Sequence, residues 1–329
     1  VDPPPAQNLH TIQALRAAAC LLVVAYHATR ATWPNGAAGV DVFFTISGLV
    51  MGLSAQTLAT RPAAWRIFAA RRIRRLVPLY WLLTTAKLLI GLAIPATLAV
   101  TRPGVWNIAA SYLFIPARDG AGLVRPVLGV GWTLQFEALF YLLTTLALAL
   151  RRPPLRILLP ILIPLAIAGF VRQPDWPAPL SLANGLVLEF CAGLALAHIA
   201  PTLARLPTSR AWPMLATASI LLLTIPEPGP WRFLLWGAPA AAIIAAALAL
   251  EHRVHIPRAV LLLGEASYAI YLIHPFLTPI LAPWLALPVC AAAGVALHVG
   301  IDKPIQKGSS SFLKKRTKKL LSMKVATGV

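Results

Sequence analysis

The amino-acid sequence predicts an all-α integral membrane protein of about ten transmembrane helices with both termini in the cytoplasm. Three observations predict it. Hydrophobic residues make up 58% of the chain and charged residues only 12%, against roughly 25% charged in soluble domains. Apolar blocks recur from residue 12 to residue 301 with no polar module between them. The basic residues cluster at alternate ends of those blocks, as membrane orientation requires.

A hydrocarbon core of about 30 Å needs roughly 20 apolar residues per helix. Such blocks lie near 12–29, 41–59, 76–99, 131–150 and 155–172, and then near 181–199, 212–226, 232–250, 259–280 and 284–301. No A-x-A-like cleavage site follows the first block and further blocks come after it, so it reads as a retained span and not a removed signal peptide. An eleventh apolar stretch, 106–115, is too short to cross comfortably.

Charge decides how that short stretch is used. If it stays on the outer side and the N-terminus is cytoplasmic, the inner loops hold Arg61, Arg66, Arg71, Arg72, Arg74 and Arg75, then Arg151, Arg152 and Arg156, then Arg205, Arg210, Arg253 and Arg258, and finally the lysine-rich C-terminus. The outer side receives Arg30, Arg102, Arg118, Arg125, Arg172 and Arg232. A spanning 106–115 would move Arg151 and every later cluster to the wrong side. Residues 102–130 therefore read as an outer loop with an amphipathic or re-entrant piece around Trp106 and Tyr112. Residues 1–301 form one membrane domain, and 302–329 a basic cytoplasmic tail expected to be disordered.

The net charge of +19 is accounted for by this orientation and by attraction to membrane lipids, and no nucleic-acid partner is expected. Cys20, Cys191 and Cys290 each fall inside an apolar block, without C-x-x-C spacing. They read as packing residues, leaving neither a disulfide framework nor a metal site.

Ionisable residues at membrane depth are costly and so are functional candidates. Arg16 and His27 share one face of the first span, about 16 Å apart along the axis. Asp41 opens the second span, Glu137 lies about two turns into the fourth, and His274 is near the outer end of the ninth. With the N-terminus inside, these three fall in the same outer half as His27. A histidine backed by a carboxylate is what general-base catalysis needs, because the carboxylate fixes the tautomer and stabilises the imidazolium. From spacing alone, an interfacial histidine without chemistry stands level with that reading. The run Arg71, Arg72, Arg74, Arg75 opens the third span on the inner side, as a topology anchor or as a grip for phosphate groups. Glu189 reads as a structural residue. Ser267, Tyr268 and Tyr271 suit packing and a substrate groove about equally, Lys87 is expected to snorkel or pair inside the bundle, and His198, His252 and His255 sit near inner loops.

Taken in order, these pieces resemble the acyltransferase 3 family of membrane O-acyltransferases. The resemblance runs from about residue 11 to 304. It rests on Leu15-Arg16 with Tyr26-His27, on Gly39-Val40-Asp41-Val42-Phe43-Phe44 with Ser47-Gly48, and on the arginine run ending in Pro78-Leu79-Tyr80-Trp81. Gly131-Trp132-Thr133-Leu134 with Glu137 and Phe140-Tyr141, Leu188-Glu189-Phe190 with Gly193, and Ser267-Tyr268-Ala269-Ile270-Tyr271-Leu272 with His274-Pro275 complete it. Within the family, Ile12-Gln13-Ala14-Leu15-Arg16 and Tyr112-Leu113-Phe114-Ile115-Pro116 look most like exopolysaccharide O-acetyltransferases of the succinoglycan type. Two departures stand out: Gln13 where many members carry Asp, and Asp302-Lys303-Pro304 where Glu-x-Pro is usual.

The resemblance implies a bacterial inner-membrane enzyme that transfers an acyl group, usually acetyl from cytoplasmic acetyl-CoA, to a glycan hydroxyl, with no permanently bound cofactor. On that reading His27 is the general base or carries the acyl group covalently, with Asp41 or Glu137 orienting it. Arg71, Arg72, Arg74 and Arg75 bind acyl-CoA phosphates. Arg16, Ser47 or Trp132 steadies the thioester oxygen, and Tyr271 and His274 contact substrate. The acceptor is an exopolysaccharide, its lipid-linked precursor, or another lipid or small molecule. A secondary transporter or flippase is the rival from another class, since buried charges also mark substrate pathways, although the chain lacks clear related halves.

Overall fold

The computed structural model describes residues 9–98 and 102–306. Most of the predicted tail, 307–329, lies outside the described residues.

Each of the ten predicted blocks is a helix. In chain order these are α1 (His10–Ala28), α2 (Gly39–Leu58), α3 (Ala64–Ala93), the short α4 (Val105–Tyr112), α5 (Trp132–Ala149), α6 (Pro154–Val171), α7 (Val187–Leu203), α8 (Thr208–Thr224), the single turn α9 (Arg232–Leu235), α10 (Gly237–Leu250), α11 (Arg258–Leu277) and α12 (Pro283–Leu297). Among the described residues, eight helical stretches are long and apolar enough to cross a membrane. The other two predicted spans, α7 and α8, have 17 residues each, about 25 Å at helical rise. The doubtful eleventh stretch is α4, eight residues long.

Three boundaries differ from expectation, and the first is α7, which opens at Val187 and not near 181 because a separate 3-10 turn, Ala178–Leu182, and the Asn184 side chain on the Leu186 amide precede it. Helix α3 starts at Ala64, after Ala63 in the left-handed region (φ 53°), because Ala64 and Phe68 already carry a buried face one and two turns before the arginine run. The run therefore lies inside α3 and does not open it. At the other end the membrane domain continues past residue 301. A π-turn, His298–Asp302, leads into a helical turn ending at Gln306, held by His298 on Asp302 (2.8 Å), Gln306 on Asp302 (2.7 Å) and Lys303 on Glu265 (3.2 Å).

Without a hydrophobic drive between helices in lipid, close packing must come from small residues. Helices α2 and α7 cross at Gly48 and Gly193, where a Cβ on either would lie 2.1 Å from a backbone oxygen, of Phe190 or Thr45 respectively. Helices α1 and α11 meet in the same way at Gly264, whose Cβ would lie 2.1 Å from the Gln13 oxygen. Interior rings fill what remains, Phe140 stacking on Phe190 at 3.7 Å. The free N–H groups that open α1 are capped from another helix: Glu251, just after α10, accepts the His10 and Thr11 amides at 2.6 and 2.9 Å, which satisfies donors the bilayer cannot.

The loops sort into two ends. At one end Arg118 donates to the Pro174 and Trp176 carbonyls, Asn35 donates to Ile225 and Arg232 pairs with Asp41. At the other, Arg253 reaches Leu206 beside the Glu251 cap. All are pairs that the charge count put on one side. Exposed Trp33, Trp106, Trp231 and Trp284 gather at the first end, and Trp65 and Trp212 at the second, as aromatic belts do.

Candidate functional site

Helix α1 runs alongside α11 in the same sense. Near the end that carries Arg253, Arg16 donates to the Ser267 hydroxyl at 2.9 Å and to Gln13 at 3.3 Å, and the Cys20 thiol donates to the Ser267 carbonyl at 3.3 Å. Near the opposite end the rings of His27 and His274 stand 4.7 Å apart. Two residues separated along α1 by about 16 Å thus meet two that are seven positions apart on α11.

His27 is exposed, next to the end of α1. Its Nδ1 lies 2.9 Å from the Val23 carbonyl. A carbonyl only accepts, so Nδ1 carries the proton and Nε2 keeps the basic lone pair. His274 is 0% exposed, and neither ring nitrogen has a hydrogen-bond partner among the described residues. The carbonyls of Ile270 and Tyr271 are nearby but outside bonding geometry. Pro275 follows within the helix and removes the N–H that would otherwise bond the Tyr271 carbonyl.

Between the Arg16 level and the arginine run lies a second polar group. Glu137 on α5 accepts a short hydrogen bond from Tyr141, one turn on, and a long one from Ser47 on α2 (3.5 Å). Arg72 on α3 lies over the Tyr141 ring at 5.6 Å and the Phe68 ring at 5.1 Å, and donates to Ser54 on α2 at 2.8 Å. Arg75, Glu137 and Tyr141 are within electrostatic range of Arg16. Five helices thus contribute to a seam of polar side chains through an interior otherwise built of Leu, Phe, Val and Ala.

Residues 9–301 match the model of an acyltransferase domain, the acyltransferase 3 family. The chain belongs to this family. It is also 34% identical over 291 residues to the exopolysaccharide production protein ExoZ of Rhizobium meliloti (strain 1021), an alignment covering 84% of this chain and 85% of that protein. No solved structure matches the chain significantly. The protein is a multi-pass membrane enzyme, an O-acyltransferase.

The structure gives several predicted site residues of this acyltransferase partners other than His27. Asp41 is 0% exposed and both its oxygens face Arg232, at 3.0 and 2.8 Å, while Arg232 also donates to the Ala37 carbonyl at 2.9 Å. Glu189, 1% exposed, lies against this pair. Glu137 is engaged by Tyr141 and Ser47, so the expected carboxylate on His27 is replaced by the Val23 carbonyl. The reason is reach: a helix-end histidine can turn back onto the carbonyl four residues earlier, while Asp41 is drawn to a cation and satisfied by it.

Trp132 packs edge-on to Phe44 and Phe136. The Tyr271 hydroxyl lies 2.8 Å from Thr133 and donates to the Val130 carbonyl at 3.0 Å, tying α11 to the start of α5, and its ring faces Phe43 and His274. Tyr268 donates to the Leu76 carbonyl of α3 at 2.6 Å. Within the arginine run Arg71 is exposed, Arg74 bonds the Ala70 carbonyl at 2.8 Å, and Arg72 and Arg75 are half-buried. Lys87 sits 6.0 Å from the Phe276 ring. The three cysteines are buried free thiols.

Sequence reasoning saw Tyr141 only within a motif and Arg232 only as a loop charge, and gave neither a role. Tyr141 was legible, because a tyrosine four residues after Glu137 shares its helix face. Arg232 is 191 positions from Asp41 and left no local signal.

Proposed function

We propose that the protein transfers an acyl group, acetyl in the first instance, from cytoplasmic acyl-CoA to a hydroxyl of an exopolysaccharide or its lipid-linked precursor, with His27 Nε2 as general base. One observation carries this reading: a seam of polar residues runs from Arg72 to Arg16 and Ser267 inside an apolar bundle, on the same helices α1 and α11 that bring His27 and His274 together. Such a seam is expensive in a membrane interior and is retained for function. The name of the relative from Rhizobium meliloti supports the acceptor class.

The topology in this reading is ten crossings with both termini in the cytoplasm of a bacterial inner membrane. Helices α1 and α11 run in the same sense, which requires an odd number of crossings between them. Helices α2, α3, α5, α6, α7, α8 and α10 supply seven when α4 lies flat at the outer surface. The same count gives α2 and α7 a common direction, in keeping with Gly48 meeting Gly193 and Gly52 meeting Ala197.

In the reaction, Arg72 and Arg75 at the inner end hold the phosphates of acyl-CoA and the pantetheine arm extends along the seam past Glu137, Ser47 and Arg16. The thioester then lies near His27. An acceptor hydroxyl entering from the outer side meets Nε2, which takes its proton as the oxygen attacks the thioester carbon; the proton passes to the departing CoA sulfur. The Val23 carbonyl holds the ring in the tautomer that leaves Nε2 free.

The test uses full-length protein in lipid nanodiscs with radiolabelled acetyl-CoA and surface polysaccharide from cells lacking the protein. Label moves to an ester on the polysaccharide with wild type, and His27→Ala abolishes this while remaining monodisperse. Wild-type transfer by His27→Ala, or failure of the wild-type protein to use acetyl-CoA, overturns the proposal.

A further inference from the structure

We infer that His274, as a neutral imidazole, is the N–H donor that holds the thioester oxygen while His27 handles the proton. This rests on the acyl-transfer reading above and names the group that stabilises the negative charge developing on the thioester oxygen.

Attack of the acceptor oxygen on the carbonyl carbon forms the new C–O bond and moves the carbonyl π pair onto oxygen. Collapse of the tetrahedral intermediate restores C=O and breaks the C–S bond, so CoA leaves as thiolate and is protonated by His27, giving ester and free CoA. Nothing in that balance requires a proton from His274. What it requires is a preorganised donor aimed at the oxyanion in a place where water is excluded.

The other candidates are spoken for. The guanidinium of Arg16 is held by Ser267 and Gln13 and sits about 16 Å from His27 along α1. Ser47 directs its hydroxyl to Glu137. Trp132 is packed against Phe44 and Phe136. His274 is different: fully buried, with both ring nitrogens unpartnered among the described residues, and 4.7 Å from the ring of the base.

A neutral imidazole always carries one N–H and one lone pair. Leaving such a donor buried without a partner costs about 1–3 kcal/mol, a cost a binding site bears when the ligand supplies the missing acceptor. An imidazolium has no counter-ion here: no carboxylate bonds either ring nitrogen among the described residues, Glu137 being held by Tyr141 and Asp41 by Arg232. The separation of the rings suits this division of labour: an acceptor oxygen bonded to His27 Nε2 attacks a carbonyl carbon whose oxygen lies one bond farther, about 1.2 Å, and the His274 ring is 4.7 Å from that of His27.

The experiment measures CoA-thiol release and ester formation in nanodiscs for wild type, His274→Ala, His274→Gln and His27→Ala, with acetyl-CoA varied and pH scanned from 5.5 to 9. His274→Ala is expected to lower kcat by about 10²–10³-fold with the KM for acetyl-CoA within about twofold and the pH midpoint of the basic group unmoved. His274→Gln, which restores an N–H donor without a titratable group, recovers at least about tenfold of that loss. A shifted pH midpoint in His274→Gln, a loss confined to KM, or equal inactivity of the Gln and Ala variants with both melting like wild type, overturns the assignment. The underlying reading fails separately, through wild type that does not consume acetyl-CoA or His27→Ala that does.

Discussion

His27 Nδ1 lies 2.9 Å from the carbonyl of Val23, one turn earlier on the same helix. The His27 ring is therefore oriented by its own backbone, and the tautomer depends on α1 keeping its last turn. His27→Gln keeps an amide N–H for Val23 but has no basic lone pair, so it separates orientation from basicity. It is expected to retain the wild-type melting temperature and lose about 10²–10⁴-fold in kcat, measured by ester formation in nanodiscs. Activity within tenfold of wild type would show that no side-chain base is needed at this position.

The Asp41–Arg232 pair makes a different prediction. Asp41 is fully buried and Arg232 nearly so, and the pair ties α2 to the turn before α10. Removing one partner of a buried ion pair typically costs about 3–5 kcal/mol. Asp41→Asn should lower the melting temperature in detergent while the surviving folded protein keeps kcat within about threefold. Asp41→Leu with Arg232→Leu should be more stable than either single variant. Unchanged melting with a large drop in kcat would instead place Asp41 in the chemistry.

The ten helical blocks and the shortness of α4 were legible in the sequence, and His27, His274, Arg16 and Glu137 stood out there as candidates. Hydropathy reports span length directly, and ionisable residues stand out at membrane depth. The partners were not legible. Asp41 belongs with Arg232 and Arg16 with Ser267, contacts 191 and 251 positions apart that depend on which helices pack together. Helix α3 began earlier than its apolar block because Phe68 extends a buried face beneath exposed arginines, a pattern that averaged hydropathy cannot see.

The arginine run divides by burial. Arg72 reaches inward to Ser54 and over Tyr141, whereas Arg71 points outward. A charge-assisted hydrogen bond is worth about 1.5–3 kcal/mol, so Arg72→Gln should raise the KM for acetyl-CoA by about 10–150-fold, and Arg71→Gln should leave it within about twofold. Equal effects in initial-rate measurements would mean that the run acts as a diffuse field and not through one directed side chain.

Gly48 allows a close helix crossing to form with Gly193. A Cβ at 2.1 Å from the Phe190 oxygen has no flexible neighbour to displace, so Gly48→Ala must push α7 away from α2 and carry Ser47 away from Glu137. The expected result is a melting temperature lowered by several degrees and a reduced monodisperse fraction. Ser47→Ala, which leaves the crossing intact, should melt like wild type.

The loop between α4 and α5 supplies a pH prediction. Asp119 is buried within the loop, which alone would raise its pKa, but the bond from Arg125 and the amides of Leu123 and Ala121 outweigh that and hold it below the ordinary value of 3.8. A depressed folded-state pKa means that its contribution is present above the unfolded value and lost as pH falls through the folded one. The loop should therefore be equally ordered at pH 7 and pH 5 and loosen only below about pH 3.8. Hydrogen exchange of peptides covering 116–128, corrected for intrinsic rates, should show this, and Asp119→Asn should exchange faster at both pH 7 and pH 5. Because Arg118 in the same loop bonds the Pro174 and Trp176 carbonyls, the Asn variant should also deprotect 172–178. Loosening between pH 7 and pH 5 in wild type would mean that another group controls the loop.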